Sequence, residues 1–439
     1  MAASNLIQSV RARRVYDSRG RPTIEAEVSV ANGASGRAIA PAGASKGSAE
    51  ALDRRDGGDA FGGYGVDLAL AGISKRIAPA LIGVDPQDQA AVDHVLIELD
   101  GTADRHVLGA NAMIAVSMAV AHAAAAASKR PLWQHLLGDH PGPVTLPLPE
   151  IQIFGGGAHA AGRLDVQDFM ITCPGAATAA QALAWTAEVY HSAGRLMAET
   201  GRVAGVADEG GWWPLFDSNE AALEMLVRAI ERAGRREGDE VCISLDVAAS
   251  EFGKDGRYRL ARDASELDRD GMIALLEGWI ERYPIISIED PFGEDDPEGF
   301  LGFTRRVGRD VQIVGDDLLV TDADRVRAAA QSGTCNAVLI KPNQRGTLSE
   351  TCKAWQTAQA YGMGGIVSAR SGETEDTTIC DLAIGWQVPQ LKVGSFSRSE
   401  RMCKWNELIR IEESLGDRAQ FAGRLPFERR GDAPVDSNT

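Results

Sequence analysis

Three acidic residues, Asp246, Glu289 and Asp316, each close a short apolar run: Val241-Cys-Ile-Ser-Leu-Asp246, Ile285-Ile-Ser-Ile-Glu289 and Val311-Gln-Ile-Val-Gly-Asp316. Three further runs end in cations, at Lys341, Arg370 and Lys392. Strand-length apolar segments that end in a polar group and recur every few tens of residues predict βα units. In a closed βα barrel the strand C-termini converge on one mouth. Three carboxylates gathered there would bind a hard divalent cation, and the lysines and arginine beside them an anionic substrate. The chemistry implied is metal-assisted and takes place next to a carboxylate or phosphate.

These side chains need a scaffold, and the rest of the chain supplies one. At 439 residues it exceeds a typical single domain. Residues 1–138 are expected to form a separate α+β unit. It would contain two strands joined by a turn (Arg14 to Val30), a small-residue loop (Ala38 to Gly47) and alanine-rich helices over 65–130. The proline-dense stretch Asp139 to Pro149 reads as a linker. Strand-like and helical segments then alternate, so 139–423 is expected to be a βα-barrel domain and 424–439 a polar, frayed tail.

Bulk properties narrow the function classes. The net charge of −17 argues against a nucleic-acid partner, because no basic surface accumulates to neutralise phosphates. It also means that an anionic ligand needs a local cationic site. The six cysteines show no CxxC or zinc spacing and read as reduced thiols. The N-terminus lacks the basic-then-apolar pattern of a signal peptide, and the apolar stretch Gly109 to Ala127 reads as a packed helix rather than a membrane span. A cytoplasmic location with no membrane partner is expected by default.

Longer strings carry a family resemblance. Val15-Tyr-Asp-Ser-Arg-Gly, Gly43-Ala-Ser, Gly109-Ala-Asn-Ala, Asp208-Glu-Gly-Gly, Ser287-Ile-Glu-Asp-Pro-Phe, Gly315-Asp-Asp-Leu, Ser371-Gly-Glu-Thr-Glu-Asp and the stretch from Asn406 to Gly416 resemble enolase, phosphopyruvate hydratase, in order and over nearly the whole chain. The resemblance implies a modified TIM barrel capped by an N-terminal α+β domain. It also implies a homodimer or higher homo-oligomer and a hydro-lyase that uses two Mg2+ per active site to dehydrate 2-phosphoglycerate.

Roles follow residue by residue from the resemblance. Asp246, Glu289 and Asp316 would ligate the first magnesium, and Ser45 would help to hold the second. Lys341 matches the general base, which must be neutral to accept a proton; nearby cations would favour that form. Lys392 would grip the substrate carboxylate, Arg370 and Ser371 its phosphate, with Gln167 and Ala369 also placed against substrate. Glu209 matches the general acid, Asp168 its partner, and His159 sits in a glycine-rich stretch that looks like a mobile lid.

Five positions depart from the family pattern. Asp168 replaces a glutamate, Ala369 a histidine, Ala42 a serine, Lys46 a threonine and Gly155 an asparagine. The shorter carboxylate at Asp168 retracts by ~1 Å, a shift that can cost ~10²-fold in rate. The other small residues would leave a roomier pocket, and Lys46 would add a cation. Three readings therefore stand: an ordinary enolase, a specialised-metabolism relative acting on a phosphoryl or phosphonyl analogue (carboxyphosphonoenolpyruvate synthase is the analogy), and a non-catalytic binding protein. Intact Lys341, Glu209 and the three acids speak against the last.

Overall fold

A computed structural model describes residues 5–428; the expected tail at 424–439 lies mostly outside the described residues. The chain builds two cores. The first packs under a three-stranded antiparallel sheet of Ile7–Tyr16, Pro22–Val30 and Ser35–Ile39. Against it lies the helix Ala110–Ala127, whose alanines allow close approach to the sheet. This helix is long and apolar enough to cross a membrane, but 83% of it is buried inside the fold.

The second core is a closed barrel of eight strands. Their order around the barrel is Leu148–Gly155, Asp168–Thr172, Cys242–Asp246, Ile285–Glu289, Gln312–Gly315, Ala337–Ile340, Gly364–Ser368 and Gln390–Ser395, and the last pairs with the first. All but one residue of these strands is buried, which explains the near-continuous apolar runs. Side-chain caps start the outer helices: Thr178, Ser218, Asp268, Asp296, Asp322 and Thr347 each accept a backbone N–H in the first turn.

Two expectations change. The stretch 139–149 is not wholly a linker. Val144–Leu146 pairs with Ala419–Phe421, and Leu148 already begins a barrel strand that takes in Pro149. Nor do strands and helices alternate from the start. Leu148–Gly155 and Asp168–Thr172 pair antiparallel across the lid loop, and two helices, Ala179–Glu199 and Asn219–Arg232, follow before the alternation begins. The antiparallel strand therefore presents its first residue, Asp168, at the mouth, in register with Asp246.

The two units meet over that mouth. The small-residue loop of the N-terminal unit pairs with the barrel through Ala42 and Gly372. Glu50 inserts between the units and meets Arg370.

Candidate active site

The mouth has a floor of alternating charge. Asp246 and Glu289 end their strands, and Asp316 follows Gly315 by one residue. Lys392, which lies inside its strand rather than ending it, bridges Asp246 at 2.8 Å and Glu289 at 2.7 Å. Lys341, immediately after Ile340, pairs with Asp316. All five side chains are buried. Burial opposes the charge of Lys392, but Asp246 and Glu289 overcome it and hold its pKa well above the ordinary value. Burial, then the neighbouring Asp246, pushes Glu289 well up. The floor thus crowds three carboxyl groups around two ammoniums, and that crowding disfavours the charged form of Glu289.

These residues fit a hard cation. The donors are all carboxylate oxygens, and Glu289 Oε1 is buried with no hydrogen-bond partner, as is Gln167 Oε1. Gln167 also donates from Nε2 to Asp246 at 3.0 Å. Among the described residues, the trios whose ligand atoms lie within 4.8 Å are Asp290–Asp316–Asp317 and His159–Asp168–Glu209, rather than Asp246–Glu289–Asp316. Asp290 accepts the backbone N–H groups of Asp316 and Asp317, so it braces the Asp316 loop. The ammoniums of Lys392 and Lys341 hold the expected acids in ion pairs.

Lys341 differs from expectation. Burial is the largest influence and lowers its pKa, but Asp316 and Glu289 together leave the net shift upward, which favours the ammonium. The expected neutral base requires a competing cation to draw Asp316 away.

The opposite wall is built from the lid, the antiparallel strand and the Asp208-Glu-Gly-Gly turn. His159 Nδ1 lies 2.9 Å from Asp168, and its Nε2 lies 3.5 Å from Glu209 and 3.2 Å from the Ser371 hydroxyl. Burial lowers the imidazole pKa, but Glu209 and Asp168 together raise it to about 9. Burial raises Glu209, yet His159 and then the cations pull it below the usual carboxylate value. The transferable proton at neutral pH therefore sits on His159, with Glu209 ionised beside it.

The phosphate side also differs from a simple arginine fork. Both terminal nitrogens of Arg370 are taken by Glu50, each at 3.0 Å, and they also reach Asn343 at 3.1 Å and the Ser45 carbonyl at 2.9 Å. Burial disfavours this guanidinium, and Glu50 more than restores its charge. Arg401, fully buried, donates to the Arg370, Ser371 and Val393 carbonyls and fixes this corner.

One cavity joins these parts. It is lined by Ser45, His159, Gln167, Asp168, Glu209, Asp246, Lys341, Ala369, Arg370, Ser371 and Lys392. Glu289 and Asp316 lie behind the lysines. With its mouth the cavity measures about 320 Å³, at the small end of ligand sites. A Cβ on Gly155 would lie 2.7 Å from Ala207 Cβ, so no space stands open there. Lys46 adds no cation to the site: it is exposed, and its ammonium lies 3.4 Å from Asp53. Ala42 is buried, and its carbonyl accepts from Arg19 at 2.7 Å.

Glu50, Gln152, Asp290, Arg401 and Gln344, which donates to Asp316 at 3.0 Å and to Glu50 at 3.2 Å, were not found from the sequence. Asp290 stands inside a quoted string beside Glu289, and Gln152 interrupts an apolar strand, a signal of a buried polar group with a partner. Glu50 gave no signal, because its partner lies 320 positions away.

Comparison with known families agrees with this architecture. The enolase C-terminal TIM barrel domain matches residues 143–429 and the enolase N-terminal domain matches residues 7–136. The chain belongs to the enolase family.

Proposed function

We propose that this enolase-family lyase abstracts the proton next to a carboxylate in a small phosphorylated or phosphonylated acid and expels the group on the adjacent carbon. With 2-phosphoglycerate that group is hydroxide and the enzyme is a hydro-lyase. The observation that carries this reading is the opposition of a lysine floor and a His159–Glu209 wall across one compact cavity.

Asp246, Glu289 and Asp316 would hold one Mg2+, and Ser45 would contribute to a second. When bound, such ions neutralise the extra charge of the deprotonated carboxylate. Lys392 orients the substrate carboxylate, and Ser371 meets the phosphoryl or phosphonyl group, on a backbone that Arg401 fixes. Arg370 supports that group by holding Ser45 and Glu50 in place. Lys341 takes the α-proton on Nζ once Asp316 is engaged elsewhere. On the far side His159 holds the proton that the leaving group needs, and Glu209 and Asp168 keep it there. The lid excludes water when His159 is seated.

A second reading, a specialised relative acting on a phosphonyl analogue, is favoured by Asp168, Ala369 and the Glu50-bound Arg370, all on the wall and phosphate side. The wider setting is a cytoplasmic homo-oligomer. The unpaired thiols of all six cysteines support a reducing compartment. The exposed Tyr16, Phe61 and Tyr64 offer an apolar surface to a second copy.

A spectrophotometric assay for enol product from 2-phosphoglycerate, with and without Mg2+, tests the reading. Strong Mg2+-dependent turnover identifies an enolase in activity. Turnover only on phosphonyl analogues selects the second reading. A folded, Mg2+-binding protein inactive on every such acid sinks both.

A further inference from the structure

Gln152 is fully buried on the strand Leu148–Gly155, and its amide is held at both ends. Oε1 accepts the Gly211 N–H at 2.8 Å. Nε2 donates to Asp168 Oδ1, the same oxygen that lies 2.9 Å from His159 Nδ1. The amide has no room to withdraw. A Cβ on Gly211 would lie 2.3 Å from Gln152 Oε1, and one on Gly155 would lie 3.2 Å from Nε2. Both glycines are therefore walls of the slot that Gln152 fills. The gap between the Gln152 and Asp168 backbones is fixed by strand pairing, since Gln152 is in register with Met170 and Gly155 with Asp168. Two side chains divide that gap: a long amide and a short carboxylate.

We propose that Gln152 is a positioning residue matched in length to Asp168, so that the place of the carboxylate against His159 is set by the two side chains together and by the glycine walls that admit them. The inference deepens the lyase reading and rests on it. It changes how Asp168 is understood: its carboxylate is delivered to His159 by a partner, rather than simply withdrawn. Lengthening Asp168 alone drives its carboxylate into a clamped amide, and shortening Gln152 alone leaves Asp168 without its donor.

The test compares the full chain with Asp168→Glu, Gln152→Asn and the double variant, measuring Mg2+-dependent kcat and KM on whichever acid is turned over. Each single change is expected to lower kcat by at least about tenfold with little change in KM. The double variant should recover to within about twofold of the parent, because contacting residues are not additive. Losses that simply multiply in the double variant would overturn the match. If a variant fails to fold, Gln152→Met keeps the length without the donor and should lose kcat with thermal stability little changed; full activity in it would overturn the positioning role. If no acid is turned over at all, the lyase reading fails, and NMR titration of His159 still reads the coupling. The imidazole faces Asp168, Glu209, Asp246 and Ser371. Its titration should move in both single variants and return in the double; an unmoved titration in all of them would overturn the match.

Discussion

The floor and the wall of this cavity are made differently. The floor residues Asp246, Glu289, Asp316, Lys341 and Lys392 stand on or just beyond parallel strands, and each carboxylate is held by a lysine from another strand, a neighbouring one for Asp316 and one across the barrel for Asp246 and Glu289. The wall residues Gln152, Asp168, His159 and Glu209 come from an antiparallel pair, a lid and a glycine turn. Barrel closure fixes the floor, whereas the wall depends on side chains that fit one another. Every departure from the family pattern that touches the cavity lies on the wall or the phosphate side, and none on the floor. In the proposed reaction, the residues assigned to proton abstraction are thus distinct from those assigned to the leaving group.

Breaking the floor should have the largest effect. Lys341→Ala is expected to lower turnover by about 10³-fold or more, and to abolish exchange of the substrate α-proton with deuterated water, while Mg2+ binding by calorimetry persists. Retained exchange would remove Lys341 from the base role. Breaking the wall should separate the two halves. His159→Asn is expected to reduce elimination by about 10²-fold yet leave α-proton exchange running. In the parent protein the protonated imidazole gives a basic limb, with activity falling as pH rises through about 9. The sign for stability is the same: the folded pKa is raised, so its contribution is complete below the unfolded value and lost as pH rises through about 9. A flat profile across that range would break the assignment. The smallest effect should come from outside both regions. Glu50→Gln, which strips Arg370 of its buried counter-charge, should cost about 3 kcal/mol in denaturant unfolding, whereas exposed Lys46→Ala should stay within about 0.5 kcal/mol.

The floor was legible because strand ends write themselves as apolar runs with a terminal charge. Asp246 and Glu289 could be placed from such runs alone, and the barrel followed from their recurrence. The wall was legible only in the identities of Asp168, His159 and Glu209. Nothing local to Asp168 says that its strand runs antiparallel, and that inversion is what brings the first residue of the strand to the mouth. The proton on His159 rather than Glu209 depends on two carboxylates flanking one buried ring, a through-space arrangement with no sequence period. Gly155 shows a related limit: a missing side chain looks like empty space until the neighbours that close on it, Ala207 and Gln152, are placed.

The Glu50–Arg370 contact ties the folding of the two units together. Arg370 belongs to the barrel and its counter-ion to the cap, and both are almost wholly withdrawn from water. Each unit alone would leave its half of the pair to water, and docking removes that water only because the two charges meet; losing one partner inside the docked protein costs several kcal/mol. The cap is thus held to the barrel by an electrostatic debt that neither half can settle alone. Opening the roof and weakening the barrel beneath it become one cooperative event rather than two.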